Sequence, residues 1–201
     1  MGIRCIMKNK AIFLDRDGVL NQSIIIDGKP YPPNSLNELI IPTDVLDALN
    51  KLKLAGFLLI CVTNQPDVAR NKSSKSSINE INEYLKKHLG LDEILVCFHD
   101  DQDNCLCRKP KPGLIIQACE NFNIDLAQSF MIGDRWRDID AGHNAGCKTI
   151  LIQHQYQEQL PIYPPHFVTS HLYEAAEWIL NHKKKELHCE HNQRVESKNI
   201  C

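Results

Sequence analysis

The chain has 201 residues, 43% hydrophobic and 24% charged, and a formal net charge of -2. That length and balance fit one globular domain with a real core. They exclude an overall basic field that would draw the chain to nucleic acid, and no stretch nears the ~20 apolar residues of a membrane-spanning helix.

Met1 to Lys10 carries only scattered apolar residues and no signal-peptide core, so a cytoplasmic protein is expected. Nine cysteines raise the alternative of a disulfide framework. The odd number and the missing export signal argue against it.

The first strand expected is 11–15, in "AIFLDRDGVLN". It ends in Asp15 and Asp17, with a glycine at 18 for a tight turn. In extended backbone, residues i and i+2 share a side, so both acids can face one site. A hard cation such as magnesium would compensate them; an exposed turn is the plainer reading. Residues 22–43 contain "DGKPYPPNS", whose prolines predict a loop or a small edge hairpin. Val45, Leu49 and Leu52 then mark a helix leaving through Gly56.

A strand over 57–62 leads into Thr63, Asn64 and Gln65. Their hydroxyl, amides and backbone N–H groups suit phosphate oxygens, or merely a helix-capping turn. Ser77 and Glu80 predict a capping box for a helix that buries Ile78, Ile81 and Leu85 and ends at Gly90. After a strand at 93–98, Arg108 and Lys109 precede a helix start at Pro112-Gly113, as fixed cations or a solvated basic turn. Ile115, Ala118 and Phe122 line that helix.

The next strand, 129–132, ends at Gly133-Asp134, with Asp138 and Asp140 following. Asp134 can complete a magnesium site, while Asp138 and Asp140 also suit an acidic helix start over 138–146. Strands at 148–152 and 167–169 and a helix marked by Leu172, Ala176 and Ile179 complete the pattern. No internal repeat is evident. The domain is expected over 1–182, with 183–201 a disordered tail in which His188, Cys189 and His191 offer metal ligands as an alternative.

Alternating strands and helices imply an α/β, Rossmann-like three-layer sandwich with a mostly parallel sheet. Ligands bind such sheets at the carboxyl ends of the strands, where all four motifs fall. Jointly the motifs resemble the signatures of the haloacid dehalogenase superfamily of phosphohydrolases, over residues 11 to 140. That resemblance implies Asp15 as nucleophile and Asp17 as general acid and base. It also implies magnesium held by Asp15, the Asp17 backbone carbonyl and Asp134, with Thr63 and Lys109 on the phosphoryl oxygens. Asp138 would orient its neighbours. No insertion is long enough for a cap domain, so a capless, open site is expected.

Within "CFHDDQDNCLC", Cys97, His99, Cys105 and Cys107 are a tetrahedral zinc set with no open position, hence a structural one. The alternative is reduced, unliganded cysteines. A zinc here would fix the loop leading into Arg108 and Lys109. This cluster narrows the resemblance to the branch of heptose-bisphosphate and histidinol-phosphate phosphatases. By it, Asn21, Asn64, Gln65, Arg108 and Arg135 would contact substrate.

The expected substrate is a small phosphorylated sugar, foremost D-glycero-D-manno-heptose 1,7-bisphosphate at its 7-phosphate, with Arg108 available for the second phosphate. Histidinol phosphate is the alternative, since Asp100, Asp101 and Asp103 can attract its amine; those acids also read as solvated loop surface. A non-catalytic zinc-bearing scaffold of the same fold is a further alternative. Neither nucleic acid nor membrane is an expected partner, and a monomer is expected.

Overall fold

The computed structural model describes residues 8–155 and 158–183. The tail with His188, Cys189 and His191 therefore lies outside the described residues. Six strands form one sheet in the order β5-β4-β1-β6-β7-β8. They are β1 (Lys10–Leu14), β4 (Phe57–Asn64), β5 (Glu93–Cys97), β6 (Phe130–Gly133), β7 (Lys148–Ile152) and β8 (Phe167–Thr169). Every pairing between them is parallel.

The central strands are nearly continuous apolar runs because both faces of the sheet are covered. Alternate residues feed separate cores. Ile12, Leu14, Leu59, Cys61 and Ile132 join helices α1 (Val45–Leu54), α2 (Lys75–Leu89) and α5 (residues 172–183) on one face. Ala11, Phe13, Ile60, Val62 and Met131 join α3 (Gly113–Phe122) and α4 (Trp136–Ala145) on the other.

From β1 the chain runs outward through β4 and β5, then returns to the other side of β1 with β6. Such a reversal opens a crevice at the carboxyl ends of the two strands flanking it. Asp15 follows β1 and Asp134 follows β6, so the topology itself brings these acids together.

The proline-rich stretch holds an antiparallel hairpin, β2 (Ile24–Ile26) with β3 (Lys29–Tyr31). Asp27 and Gly28 turn it with φ of 50° and 72°, as a two-residue hairpin turn requires. Two helix starts differ from expectation. The cap of α2 is Ser74, whose hydroxyl accepts from the Ser77 N–H at 3.0 Å, rather than a Ser77–Glu80 box. Helix α4 begins at Trp136, two residues before the expected 138. The first turn of α2 opens on Lys75-Ser76-Ser77, so hydrophobic spacing cannot mark it. No helix among the described residues is long and apolar enough to cross a membrane.

Candidate active site

The Asp15 N–H still donates to Ile132 O at 2.9 Å, so the ladder between β1 and β6 fixes this residue's backbone. Lys109 reaches the same point from the loop before α3. Its Nζ lies 2.6 Å from Asp15 Oδ1, 2.6 Å from Asp138 Oδ1 and 2.7 Å from the Val62 carbonyl. Three partners satisfy all three ammonium donors. The second Asp138 oxygen accepts from the Arg135 N–H at 3.0 Å.

Asp134 is different. It is buried, yet neither carboxylate oxygen accepts a hydrogen bond among the described residues. Carboxylate oxygens of Asp15, Asp134 and Asp138 lie within 4.8 Å of one another. Hard oxygen donors at this spacing fit a magnesium ion. Because both Asp138 oxygens are already engaged, Asp15 and Asp134 are the better-placed ligands. Gly18, with φ +93°, belongs to the same packing: a Cβ there would come within 2.0 Å of Asp134 Oδ2.

Burial, then repulsion from Asp138, pushes the Asp15 carboxyl up to about 6 against the pull of Lys109. Burial and the charges of Asp15 and Asp138 raise Asp134 well above the usual carboxylate range. Burial opposes the Lys109 charge, but Asp138 and Asp15 override it and hold the ammonium above its ordinary value. The cluster has more negative charge than its single lysine balances, which is the electrostatic demand a divalent cation meets.

A second cluster closes the loop after β5. Cys107 Sγ lies 3.2 Å from Cys97 Sγ, 3.4 Å from Cys105 Sγ and 3.3 Å from His99 Nδ1. Cys97 Sγ lies 3.6 Å from His99 Nδ1 and 3.7 Å from Cys105 Sγ. Bond lengths of about 2.3 Å to sulfur and 2.0 Å to nitrogen put tetrahedral corners roughly 3.5–3.8 Å apart. Two of the five distances fall in that range and three are 0.1–0.3 Å shorter; the donor set of three thiols and one imidazole fits zinc.

Residues 106–175 match the model of the HAD-hydrolase-like family. The chain is 37% identical over 182 residues to a D-glycero-beta-D-manno-heptose-1,7-bisphosphate 7-phosphatase of Helicobacter pylori strain J99, covering 87% of this chain and 99% of the relative. The chain belongs to the HAD family of phosphatases. The D-glycero-beta-D-manno-heptose-1,7-bisphosphate 7-phosphatase of Escherichia coli K12 is 32% identical to this phosphatase, over 85% of its chain and 88% of the relative. A crystal structure of D,D-heptose 1,7-bisphosphate phosphatase from B. bronchiseptica, complexed with magnesium and phosphate, superposes with a TM-score of 0.73. It is 32% identical and covers 86% of this chain and 99% of its own.

In this HAD phosphatase, Asp15, Asp17, Asn64, Lys109 and Arg135 share the walls of a cavity of about 360 Å³. Asp17 is held by Arg16 at 2.9 Å, by Asn21 Nδ2 at 3.0 Å and by Gln65 Nε2 at 2.7 Å. Gln65 Nε2 also donates to Thr63 Oγ1 at 2.9 Å. Asn64 clasps the Lys109 backbone with two hydrogen bonds of 3.1 Å each. Arg135 pairs with Glu158. Arg108 faces an adjoining depression of about 200 Å³, while Arg70 and Arg137 stand on the wall of the larger cavity.

Sequence reasoning missed several of these residues. Arg16 is fully buried and also donates to Asn82 Oδ1 at 3.0 Å, tying the loop after β1 to α2. Arg70, Arg137, Glu158 and the hairpin residue Lys29 also line the cavity, although the sequence singled out none of them. The one available signal was the bracketing of Asp134 and Asp138 by Arg135 and Arg137 in "GDRWRD".

Proposed function

We propose that the chain is a magnesium-dependent phosphatase that removes the 7-phosphate of D-glycero-D-manno-heptose 1,7-bisphosphate, as the β anomer, through an aspartyl phosphate on Asp15. The observation that carries the chemistry is the buried, unpartnered Asp134 carboxylate beside Asp15. The substrate follows the names that the similar proteins bear.

Lys109 holds Oδ1 of Asp15, leaving its second oxygen to attack phosphorus. The phosphorus–oxygen bond to the sugar breaks, and Asp17 gives its proton to the leaving oxygen. Asp17 then takes a proton from water as that water attacks the aspartyl phosphate, releasing phosphate and restoring Asp15. Asp15, the Asp17 backbone carbonyl and Asp134 would hold magnesium, which would offset the charge of the carboxylates and phosphoryl oxygens. Thr63 donates its hydroxyl hydrogen to those oxygens, and the Lys109 ammonium, fixed beside Asp15, stabilises their growing charge electrostatically. Cys97, His99, Cys105 and Cys107 would hold a structural zinc, which would close the loop two residues before Lys109. The free thiols at Cys61, Cys119 and Cys147 suit the reducing cytoplasm.

The test is phosphate release from this bisphosphate with and without magnesium. Asp15→Asn is expected to lower turnover at least ~10⁴-fold, as loss of a nucleophile does, and fluoroberyllate should form an adduct on Asp15 in the wild type. Unimpaired turnover in Asp15→Asn ends the proposed chemistry. A tenfold preference for histidinol phosphate ends the proposed substrate.

A further inference from the structure

Asp100 and Asp101 sit inside the cysteine–histidine loop but take no part in its sulfur–nitrogen cluster. Asp100 receives Arg70 through both oxygens, Nε to Oδ2 at 2.7 Å and Nη2 to Oδ1 at 2.5 Å. Asp101 Oδ1 accepts from Arg108 Nε and from Arg137 Nη1, each at 2.9 Å. Its Oδ2 faces Arg137 Nη2 at 3.3 Å. Arg70 comes from the segment after β4 and Arg137 from the first turn of α4. The loop therefore reaches two other strand-end motifs and grips a guanidinium from each. Both guanidiniums lie on the wall of the cavity that holds Asp15 and Lys109.

We infer that Asp100 and Asp101 are positioning residues that hold Arg70 and Arg137 as an anchor for the substrate's second anionic group, so that the cysteine–histidine loop sets specificity. The inference deepens the phosphatase reading above and rests on it. A free arginine loses much rotamer freedom when it binds an anion; a carboxylate that pins it beforehand removes that loss. Arg137 is pinned twice, since it also lies 4.7 Å over the Trp136 ring. Each guanidinium has five N–H donors, and the carboxylates use only some of them. Stability is a weak reason for this arrangement. Each pair has one half-exposed partner, Asp101 at 52% against Arg137 at 24% and Arg70 at 38% against Asp100 at 25%, so solvent screens part of any contribution to stability.

The test compares the bisphosphate with p-nitrophenyl phosphate, which has one phosphate, for the zinc-loaded full chain. Asp101→Ala is expected to raise KM for the bisphosphate roughly tenfold with kcat within twofold, the scale of one charge-assisted hydrogen bond. KM for p-nitrophenyl phosphate should stay within twofold, with one zinc retained per chain. Asp101→Asn, which keeps an acceptor oxygen, should recover most of the loss. Arg137→Met lies outside the loop and should show the same split even if Asp101→Ala sheds its zinc. Equal weakening of both substrates in Arg137→Met, or no change with either, overturns the inference while leaving the phosphatase reading intact. A wild-type enzyme that cleaves p-nitrophenyl phosphate but not the bisphosphate overturns the proposed substrate and this inference together while leaving the phosphatase chemistry standing, and that outcome is read before any variant is made.

Discussion

The carboxylate cluster of Asp15, Asp134 and Asp138 and the thiol cluster of Cys97, His99, Cys105 and Cys107 both sit at strand ends of one sheet, but different forces hold them. Asp15 is carried by the ladder between β1 and β6, and Asp134 follows β6 directly. The sheet forces these like charges together, and the core beneath them outweighs their repulsion. In the second cluster only Cys97 belongs to a strand. The rest of that loop is a short 3-10 turn, Asp101–Asp103, with no buried residue. The fold builds the first site ahead of any ion, whereas the proposed zinc would be needed to hold the second.

The largest effect that can break this contrast is expected from Asp134→Asn. The substitution removes one member of a crowded acidic set. With magnesium present, turnover should fall at least ~10³-fold, because several kcal/mol of charge stabilisation is lost. Without magnesium, the variant should melt higher than the wild type, since a repulsion is relieved. A lower melting temperature in the metal-free variant would show that Asp134 stabilises the fold rather than being strained by it.

Asp17→Asn separates proton transfer from metal binding. It keeps the shape of the residue that Arg16, Asn21 and Gln65 hold. Turnover is expected to fall at least ~100-fold while calorimetry still detects magnesium binding. Loss of magnesium binding would instead make this carboxylate part of the ion site.

Cys107→Ser tests the other side. Zinc content should fall below one per chain, and the loop over 98–106 should become open to protease. Turnover should fall about 10- to 100-fold, the usual cost of disturbing the support of a site, because Lys109 lies two residues away. Full turnover in zinc-free protein would uncouple the loop from Lys109.

The strand-end acids were legible because each followed a short apolar run, and a parallel sheet gathers such ends. Lys109 was legible from "CRKPKPG", and the cysteine set from its spacing alone. Contacts between distant polar residues were not. Nothing local marks Arg16 as the partner of Asn82, 66 positions away. Asp100 and Asp101 read as solvated loop because their partners, Arg70 and Arg137, come from other elements. Polar pairing has no periodicity, so only the folded chain reveals it. The polar first turn of α2 was hidden for the same reason.

The smallest expected effect concerns pH and isolates the strain in the carboxylate site. In the metal-free protein the Asp15 carboxyl titrates at about 6, against an ordinary value of 3.8. Between those values the folded chain keeps a proton that the unfolded chain has released. The folded state binds more protons, so stability falls as pH rises. That contribution is complete below 3.8 and lost as pH climbs through about 6. The raised Asp134 acts in the same direction. Zinc-loaded, magnesium-free protein should therefore melt lower at pH 7.5 than at pH 5. Saturating magnesium should flatten the slope, because the ion takes over the role of the proton, and Asp134→Asn should flatten it in part. Identical slopes with and without magnesium would mean that the titrating groups lie elsewhere, and that the sheet does not hold these acids against their own repulsion.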